Sequence, residues 1–152
     1  MLRQQAAMSP IQDFTGGQFL PVIPDHEVTQ AGRVLVATGK FVHELRAQRK
    51  KRGDTRTTIM VLEQLYPFPE KELAAAFNQH PAAREVVWVQ EEPANMGALF
   101  FRMPRLRRLA GPRAVRSVKR SASPSPASGS GKAHEVEQKT LLVLAFTTAK
   151  AQ

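Results

Sequence analysis

The chain has 152 residues, of which 42% are hydrophobic, 23% are charged and none is cysteine. This length suits one domain with a single core, and the missing cysteines exclude disulfides, thiolate metal sites and cysteine nucleophiles. The net charge of +9 would attract anions. No apolar stretch is long enough for a membrane span or a secretion signal, so we expect a soluble intracellular protein.

Residues 1–32 carry scattered proline and glycine with few periodic apolar positions, which predicts an irregular leading segment. One extended piece is expected near Phe19 to Ile23. The apolar run from Arg33 to Thr38 predicts a buried strand, and helical spacing then continues as far as Gly53. A β-branched run from Thr57 to Leu62 predicts the next strand.

The second half repeats this alternation. Two prolines and two early glutamates predict the start of a helix over EKELAAAFNQH, and Glu85 to Val89 is a third apolar run. Asn95 is placed to cap the next helix, in which Pro104 predicts a kink or two shorter helical pieces. Ala114 to Val118 predicts a weaker fourth strand. A polar loop from Ser121 to Gly131 and a closing helix follow.

Strands that alternate with helices indicate an α/β fold, because parallel strands need crossover connections that place helices on the faces of the sheet. We predict three αβα layers around a mostly parallel sheet of four to five strands. The predicted domain organisation is a leading segment over 1–32 and one α/β domain over 33–150.

Three basic runs account for much of the charge, and each adjoins an apolar pattern. This placement favours solvated faces and ends of ordinary helices and strands over a nucleic-acid surface, since no aromatic interleaving accompanies them. The runs are Arg46 to Arg52, Arg102 to Arg108 and Arg113 to Arg120.

Ligands of open α/β sheets gather at the carboxyl ends of the strands, where three candidate loops are expected. Thr38-Gly39-Lys40 is most simply a tight turn. Adjacent carboxylates in Gln90 to Pro93 suit acid–base chemistry, cation binding, hydrogen bonding between domains or plain solvation. Ser123 to Gly131 is either a flexible linker or an anion-binding nest beside neighbouring cations. Those cations are Arg116, Lys119 and Arg120.

The four histidines stand apart from one another and show no metal-ligand spacing. None has a visible nucleophile partner in the sequence. We therefore predict that none of them is a catalytic or metal-binding residue. The histidines are His26, His43, His80 and His134.

Two long motifs, Glu63 to Pro69 (EQLYPFP) and Trp88 to Gly97 (WVQEEPANMG), resemble signature stretches of the decarboxylating first component of 2-oxoglutarate dehydrogenase, in the same order. The opening segment, Thr38-Gly39-Lys40, the loop from Arg120 to Ala127 and the tail from Gly131 to Leu142 extend the resemblance over nearly the whole chain. The sequences of WVQEEPAN and SGSGKAHEVEQ look closest to the multifunctional bacterial branch of this family. An ordinary bacterial or mitochondrial member and the related 2-oxoadipate enzyme are the alternatives.

This resemblance implies a transketolase-like C-terminal domain that packs against the other domains of the enzyme and a homodimer mate. In the full-length family, those other domains hold thiamine diphosphate and magnesium, decarboxylate 2-oxoglutarate and pass the succinyl group to a lipoyl-bearing succinyltransferase. The chain is then expected to be a fragment that is inactive and cofactor-free alone, in the bacterial cytoplasm or the mitochondrial matrix. Two alternatives are a free-standing module that binds an acyl-CoA or nucleotide effector, and a basic nucleic-acid-binding protein.

The resemblance also directs attention to residues expected to contact an effector or a neighbouring domain. They lie in the opening segment and in or beside the three candidate loops. These residues are Arg3, Lys40, Gln90, Glu91, Glu92, Asn95, Arg120, Ser123 and Ser125.

Overall fold

The computed structural model describes residues 8–9 and 11–148. Five strands alternate with helices along most of the chain, as the sequence predicts. No helix in the described part of the chain combines the length and apolar character needed to cross a membrane. The elements are α1 (Gln12–Thr15), β1 (Val22–Ile23), β2 (Arg33–Ala37), α2 (Phe41–Arg52), β3 (Thr57–Leu62), α3 (Glu70–Asn78), β4 (Glu85–Pro93), α4 (Leu99–Ala110), β5 (Ala114–Arg120) and α5 (Gly131–Phe146).

The five strands form one sheet in the order β1-β3-β2-β4-β5. Strand β1 pairs antiparallel with β3, and the other neighbours pair in parallel. The central strand β2 lies between β3 and β4, where Leu35 is opposite Ile59 on one side and Val87 on the other. The predicted mostly parallel α/β sheet is confirmed.

Each face of the sheet carries its own apolar core, because successive strand residues point to opposite faces. Val34 and Val36 pack with Trp88 in the core beneath α3 and α4. Leu35 and Ala37 pack in the core beneath α2 and α5. All of these strand side chains are fully buried, which confirms the three-layer arrangement.

Helix α4 corrects one prediction. Pro104 lies inside a single helix from Leu99 to Ala110, so the prediction of two shorter pieces is wrong. A proline removes one backbone donor from a helix, but burial of Met103 and Leu106 against the sheet holds the flanking turns in place. Tertiary packing therefore outweighs the local cost of the proline.

The leading segment is tied to the sheet more closely than its composition indicates. Val22 and Ile23 pair with β3, which confirms the extended piece, while the short helix α1 was not foreseen. Asp25 and Arg49 form a buried ion pair, and the Asp25 carboxylate also accepts a hydrogen bond from the Ile59 amide at 2.8 Å. This carboxylate fastens the segment to α2 and β3. The boundary at residue 32 stays a prediction.

A second buried arginine has no such partner. Arg102 on α4 is 2% exposed, and its Nε and Nη1 atoms have no hydrogen-bond partner among the described residues. Its guanidinium lies 5.1 Å from the ring centre of Phe68 and 4.7 Å from that of Phe101. Burial, with a smaller effect of Arg105, lowers the pKa of Arg102 from 12.5 to about 10.

Candidate functional site

The carboxyl edge of the sheet has a topological switch point between β2 and β4. From β2 the chain passes through α2 to β3 on one side, and from β4 it passes through α4 to β5 on the other. Because α2 and α4 pack on opposite faces, the two connections diverge at this point. Such a switch point is where open α/β sheets usually bind ligands.

An ion pair joins β2 and β4 at this switch point. The Nζ atom of Lys40, in the loop after β2, lies 2.8 Å from Oε1 of Glu91 in β4. The same Glu91 oxygen accepts a hydrogen bond from Nε2 of Gln138 at 2.7 Å, and that amide also reaches Glu44. The hydrogen bond to Glu91 raises the pKa of Lys40. Through Oε1 of Glu91, the network links the loop after β2 and the end of β4 to α2 and α5.

The buried side chain of Gln90 joins Trp88 to the turn after β4. It is 2% exposed, and its Oε1 atom accepts a hydrogen bond from Trp88 Nε1 at 2.8 Å. Its Nε2 atom donates to the carbonyl oxygen atoms of Met96 and Pro93 at 3.0 and 3.2 Å. Gly97 has a φ of +67°, and a Cβ there would lie 3.2 Å from Gln90 Nε2. A glycine at this position therefore satisfies both the backbone and the packing.

The segment from Gln90 to Pro93 was predicted as a loop, and this is wrong. Strand β4 continues through Pro93, with an irregular register towards β5 after Val89. Within it, the Glu92 side chain is exposed to solvent, whereas Glu91 pairs with Lys40. The adjacent carboxylates therefore do not form an acid–base pair.

Asn95 does not cap α4, so that prediction is also wrong. Helix α4 starts after Ala98 and has no side-chain cap. Instead, the Asn95 amide donates to the Ser123 carbonyl at 3.0 Å and accepts from the Ser123 amide at 3.0 Å. This reciprocal pair fastens the loop after β5 to the turn after β4. The two residues are 28 positions apart, so local sequence patterns gave no signal of it.

Arg120 also anchors the loop after β5 through hydrogen bonds. Its Nε donates to the Glu91 carbonyl at 2.6 Å, its Nη2 to the Pro126 carbonyl at 2.5 Å, and its Nη1 to Glu137 at 3.2 Å. Glu137 also accepts a hydrogen bond from Ser128 at 2.8 Å, which lowers the pKa of Glu137. All three guanidinium nitrogens of Arg120 thus serve internal contacts.

A cavity of about 420 Å³ lies between this loop and α5; we call it the loop cavity. Ser125 lines it, and its hydroxyl donates to the Ala127 carbonyl at 2.9 Å. Lys119 and Arg120 line it as well, but Arg116 does not, because it pairs with Glu85 at the other end of the strand. The structure therefore brings together the predicted loop residues apart from Arg116. Arg3 lies outside the described residues.

An exposed apolar surface adjoins the loop cavity on α5; we call it the α5 stripe. Val136, Val143 and Leu144 are 63%, 48% and 45% exposed, respectively. Their spacing of seven and eight residues places them along one face of the helix. The opposite face buries Leu141 and Ala145 in the core. Helix α5 is therefore apolar on two faces, of which one has no cover within the described residues.

The described residues contain no cluster of side chains of the kind that would hold the magnesium of thiamine diphosphate by themselves. Magnesium in such sites is held by carboxylate and other oxygen ligands together with phosphate oxygens. Nowhere in residues 8–9 and 11–148 do three His, Cys, Asp or Glu side chains lie close enough to hold a metal ion. No catalytic step is therefore assigned to this cofactor in the present chain.

Comparison with known proteins identifies the family. The model described as 2-oxoglutarate dehydrogenase C-terminal matches residues 8–146. The 2-oxoglutarate dehydrogenase E1 component of Cupriavidus necator is 41% identical over 154 residues, which cover 99% of this chain and 16% of that protein. The multifunctional 2-oxoglutarate metabolism enzyme of Mycolicibacterium vanbaalenii is 39% identical over 158 residues, which cover 96% of this chain and 12% of that protein.

A third relative, the E1 component of a Geobacillus species, is 37% identical over 97% of this chain and 16% of its own length. The chain therefore spans between 12% and 16% of the length of these relatives. The resemblance seen in the sequence motifs is confirmed, and the multifunctional enzyme is among the relatives. The chain belongs to the 2-oxoglutarate dehydrogenase C-terminal family.

Proposed function

We propose that this chain acts as the C-terminal domain of a 2-oxoglutarate dehydrogenase first component, where it organises the other domains and a homodimer mate. The α5 stripe carries this proposal. Val136, Val143 and Leu144 expose a contiguous apolar strip beside the loop cavity. Exposed apolar surface of this kind marks an interaction site, and burying it against a neighbouring domain supplies the association free energy.

The fastened loops support the same role. Lys40 and Glu91 join the loop after β2 to the end of β4, and Asn95 with Arg120 holds the loop after β5. A surface with its loops held in place loses little conformational freedom on docking. The proposed contribution of this chain is therefore a rigid platform, with no group that touches a substrate.

The proposed activity belongs to the whole enzyme. That enzyme decarboxylates 2-oxoglutarate with thiamine diphosphate and magnesium and transfers the succinyl group to a lipoyl-bearing succinyltransferase, in the bacterial cytoplasm. When bound by the other domains, the cofactor supplies the carbon nucleophile and electron sink for decarboxylation. The names and bacterial sources of the relatives support this proposal.

A chimeric enzyme tests the proposed role. In the Cupriavidus necator E1 component, the part matched by this chain is replaced by this chain, and 2-oxoglutarate-dependent reduction of an electron acceptor is measured. We expect an active chimera. The Val143→Glu variant is expected to lose about tenfold in activity, because an unpaired carboxylate is then buried at the proposed interface.

Ala75→Glu is the matched control, since it places the same charge on an exposed position of α3. Circular dichroism melts establish that each chimera is folded. A folded but inactive wild-type chimera would contradict the proposed function. Equal losses in the Val143 and Ala75 variants would contradict the α5 stripe as the interface.

A second proposed function is the binding of an acyl-CoA or nucleotide effector in the loop cavity. Its volume of about 420 Å³ and the presence of Lys119 in its lining favour this function. We expect saturable heat when acetyl-CoA or AMP is titrated into the chain in a calorimeter, and weaker binding by Lys119→Gln than by Lys71→Gln. No heat with either ligand at about 1 mM would contradict effector binding.

A further inference from the structure

A groove of about 720 Å³ crosses the amino edge of the sheet, at the opposite end of the strands from the Lys40–Glu91 ion pair; we call it the amino-edge groove. The first residues of β2, β3, β4 and β5 all line it, together with the end of α5. The lining residues used below are Gly32, Arg33, Arg56, Arg84, Ala114 and Phe146.

Backbone hydrogen bonds hold two of its arginines at fixed positions. The Arg56 carbonyl accepts from the Gly32 amide at 2.8 Å, and the Gly32 carbonyl accepts from the Arg84 amide at 2.9 Å. The Arg84 carbonyl in turn accepts from the Ala114 amide at 2.9 Å. The backbones of Arg56 and Arg84 thus flank Gly32 in a row that continues the sheet.

Gly32 leaves the space into which one guanidinium folds. A Cβ at Gly32 would lie 3.4 Å from Nη2 and 3.6 Å from Nε of Arg56. The Arg56 guanidinium therefore lies over Gly32, the residue whose backbone separates Arg56 from Arg84. Both arginine side chains are exposed to solvent.

The acidic groups of the groove are already engaged. The Glu85 carboxylate pairs with two arginines at once, Arg33 and Arg116, each at 2.6 Å. The Asp54 carboxylate accepts from the Arg56 amide at 2.8 Å and from the Thr57 hydroxyl at 2.6 Å. Among the described residues, neither the Arg56 nor the Arg84 guanidinium pairs with a carboxylate. The groove therefore carries an excess of positive charge.

We propose that the amino-edge groove binds a small molecule that carries a phosphate group. The phosphate lies between Arg56 and Arg84, because guanidinium groups bind phosphate oxygens in pairs through charge-assisted hydrogen bonds. Ala114 and the small exposed part of Phe146 supply the apolar lining beside these arginines. The volume exceeds that of a lone phosphate and falls in the range of small-molecule sites.

A titration of the 152-residue chain with pyrophosphate at constant ionic strength tests this proposal. The readout is the change in amide chemical shift of Gly32 and Ala114 in two-dimensional NMR spectra. We expect saturation with a dissociation constant below about 1 mM, and binding of succinate at least about tenfold weaker. The double variant Arg56→Gln with Arg84→Gln is expected to lose at least about tenfold in pyrophosphate affinity.

The matched control is Lys71→Gln with Arg107→Gln, which removes two charges from α3 and α4 and is expected to bind like the wild type. The spectra themselves establish that each variant is folded. Shift changes that do not saturate, or equal loss in both double variants, would overturn the proposal. Succinate binding as tight as that of pyrophosphate would overturn it in favour of a carboxylate ligand. None of these outcomes depends on the α5 stripe.

Discussion

Replacing Asp25 with alanine is expected to lower the free energy of unfolding by about 3–5 kcal/mol, a large share of the total for a domain of this size. The variant leaves Arg49 buried without its main partner and removes the acceptor for the Ile59 amide. A buried charge without a counter-charge costs more than the pair contributes. Urea unfolding followed by circular dichroism measures the change.

The control is Glu27→Ala, which removes the other carboxylate that pairs with Arg49, at 2.5 Å. That side chain is 77% exposed, so a loss of only about 0–1 kcal/mol is expected. The double variant Asp25→Ala with Arg49→Met is expected to regain part of the stability. A loss for Asp25→Ala no larger than that for Glu27→Ala would contradict the buried-pair interpretation.

The same carboxylate gives a pH dependence with a definite sign. Burial raises the pKa of Asp25. Hydrogen bonds from the Arg49 guanidinium and from the backbone amides of Ile59 and Glu27 lower it by more, so the pKa lies below the ordinary value of 3.8. Its stabilising effect is therefore fully present above pH 3.8 and is lost as the pH falls through the folded-state pKa. The Asp25→Ala variant should lack this part of the acid-induced loss.

Replacing Arg102 with methionine is expected to act in the opposite direction and raise the free energy of unfolding by about 1–2 kcal/mol. The variant removes a buried guanidinium whose Nε and Nη1 atoms have no described partner. It also loses contacts with the rings of Phe68 and Phe101, which offsets part of the gain. Methionine is flexible enough to fill the vacated space.

Arg49→Met serves as the comparison, because it makes the same replacement at a buried arginine that does have partners. It is expected to destabilise the chain, since Asp25 is then left buried and unpaired. The two variants are measured by the same urea unfolding experiment. A loss of stability in Arg102→Met as large as that in Arg49→Met would show that Arg102 is paired in solution.

The fold was predictable because its signals are local. The runs Arg33 to Thr38 and Thr57 to Leu62 are short, apolar and flanked by turn residues, and both form buried strands. Gly53 ends α2 with a φ of +61°, as the sequence predicts. Of the two outcomes predicted for Pro104, a division into two helical pieces is wrong, because the local rule ignores the packing of Met103 and Leu106.

The sequence predicts where the candidate site lies but not which residues its side chains contact. Lys40, Glu91, Asn95 and Arg120 lie at the carboxyl edge, where parallel strands place their loops. Their partners are distant in sequence, as with Asn95 and Ser123, so no spacing rule identified them. The number of arginines is likewise a poor guide to a binding site, because Arg120 and other arginines form hydrogen bonds with carbonyls and carboxylates of the same chain.

Helix α5 follows every strand of the sheet in chain order, and this affects how the domain matures. While the polypeptide is being synthesised, the sheet face formed by Leu35, Ile59 and Val87 remains partly uncovered until this helix has left the ribosome. Transiently exposed apolar sheet surface is prone to aggregation and is a target for chaperones. The helix that presents the proposed interaction surface thus also completes this core, and the proposed assembly with a neighbouring domain would follow the packing of α5.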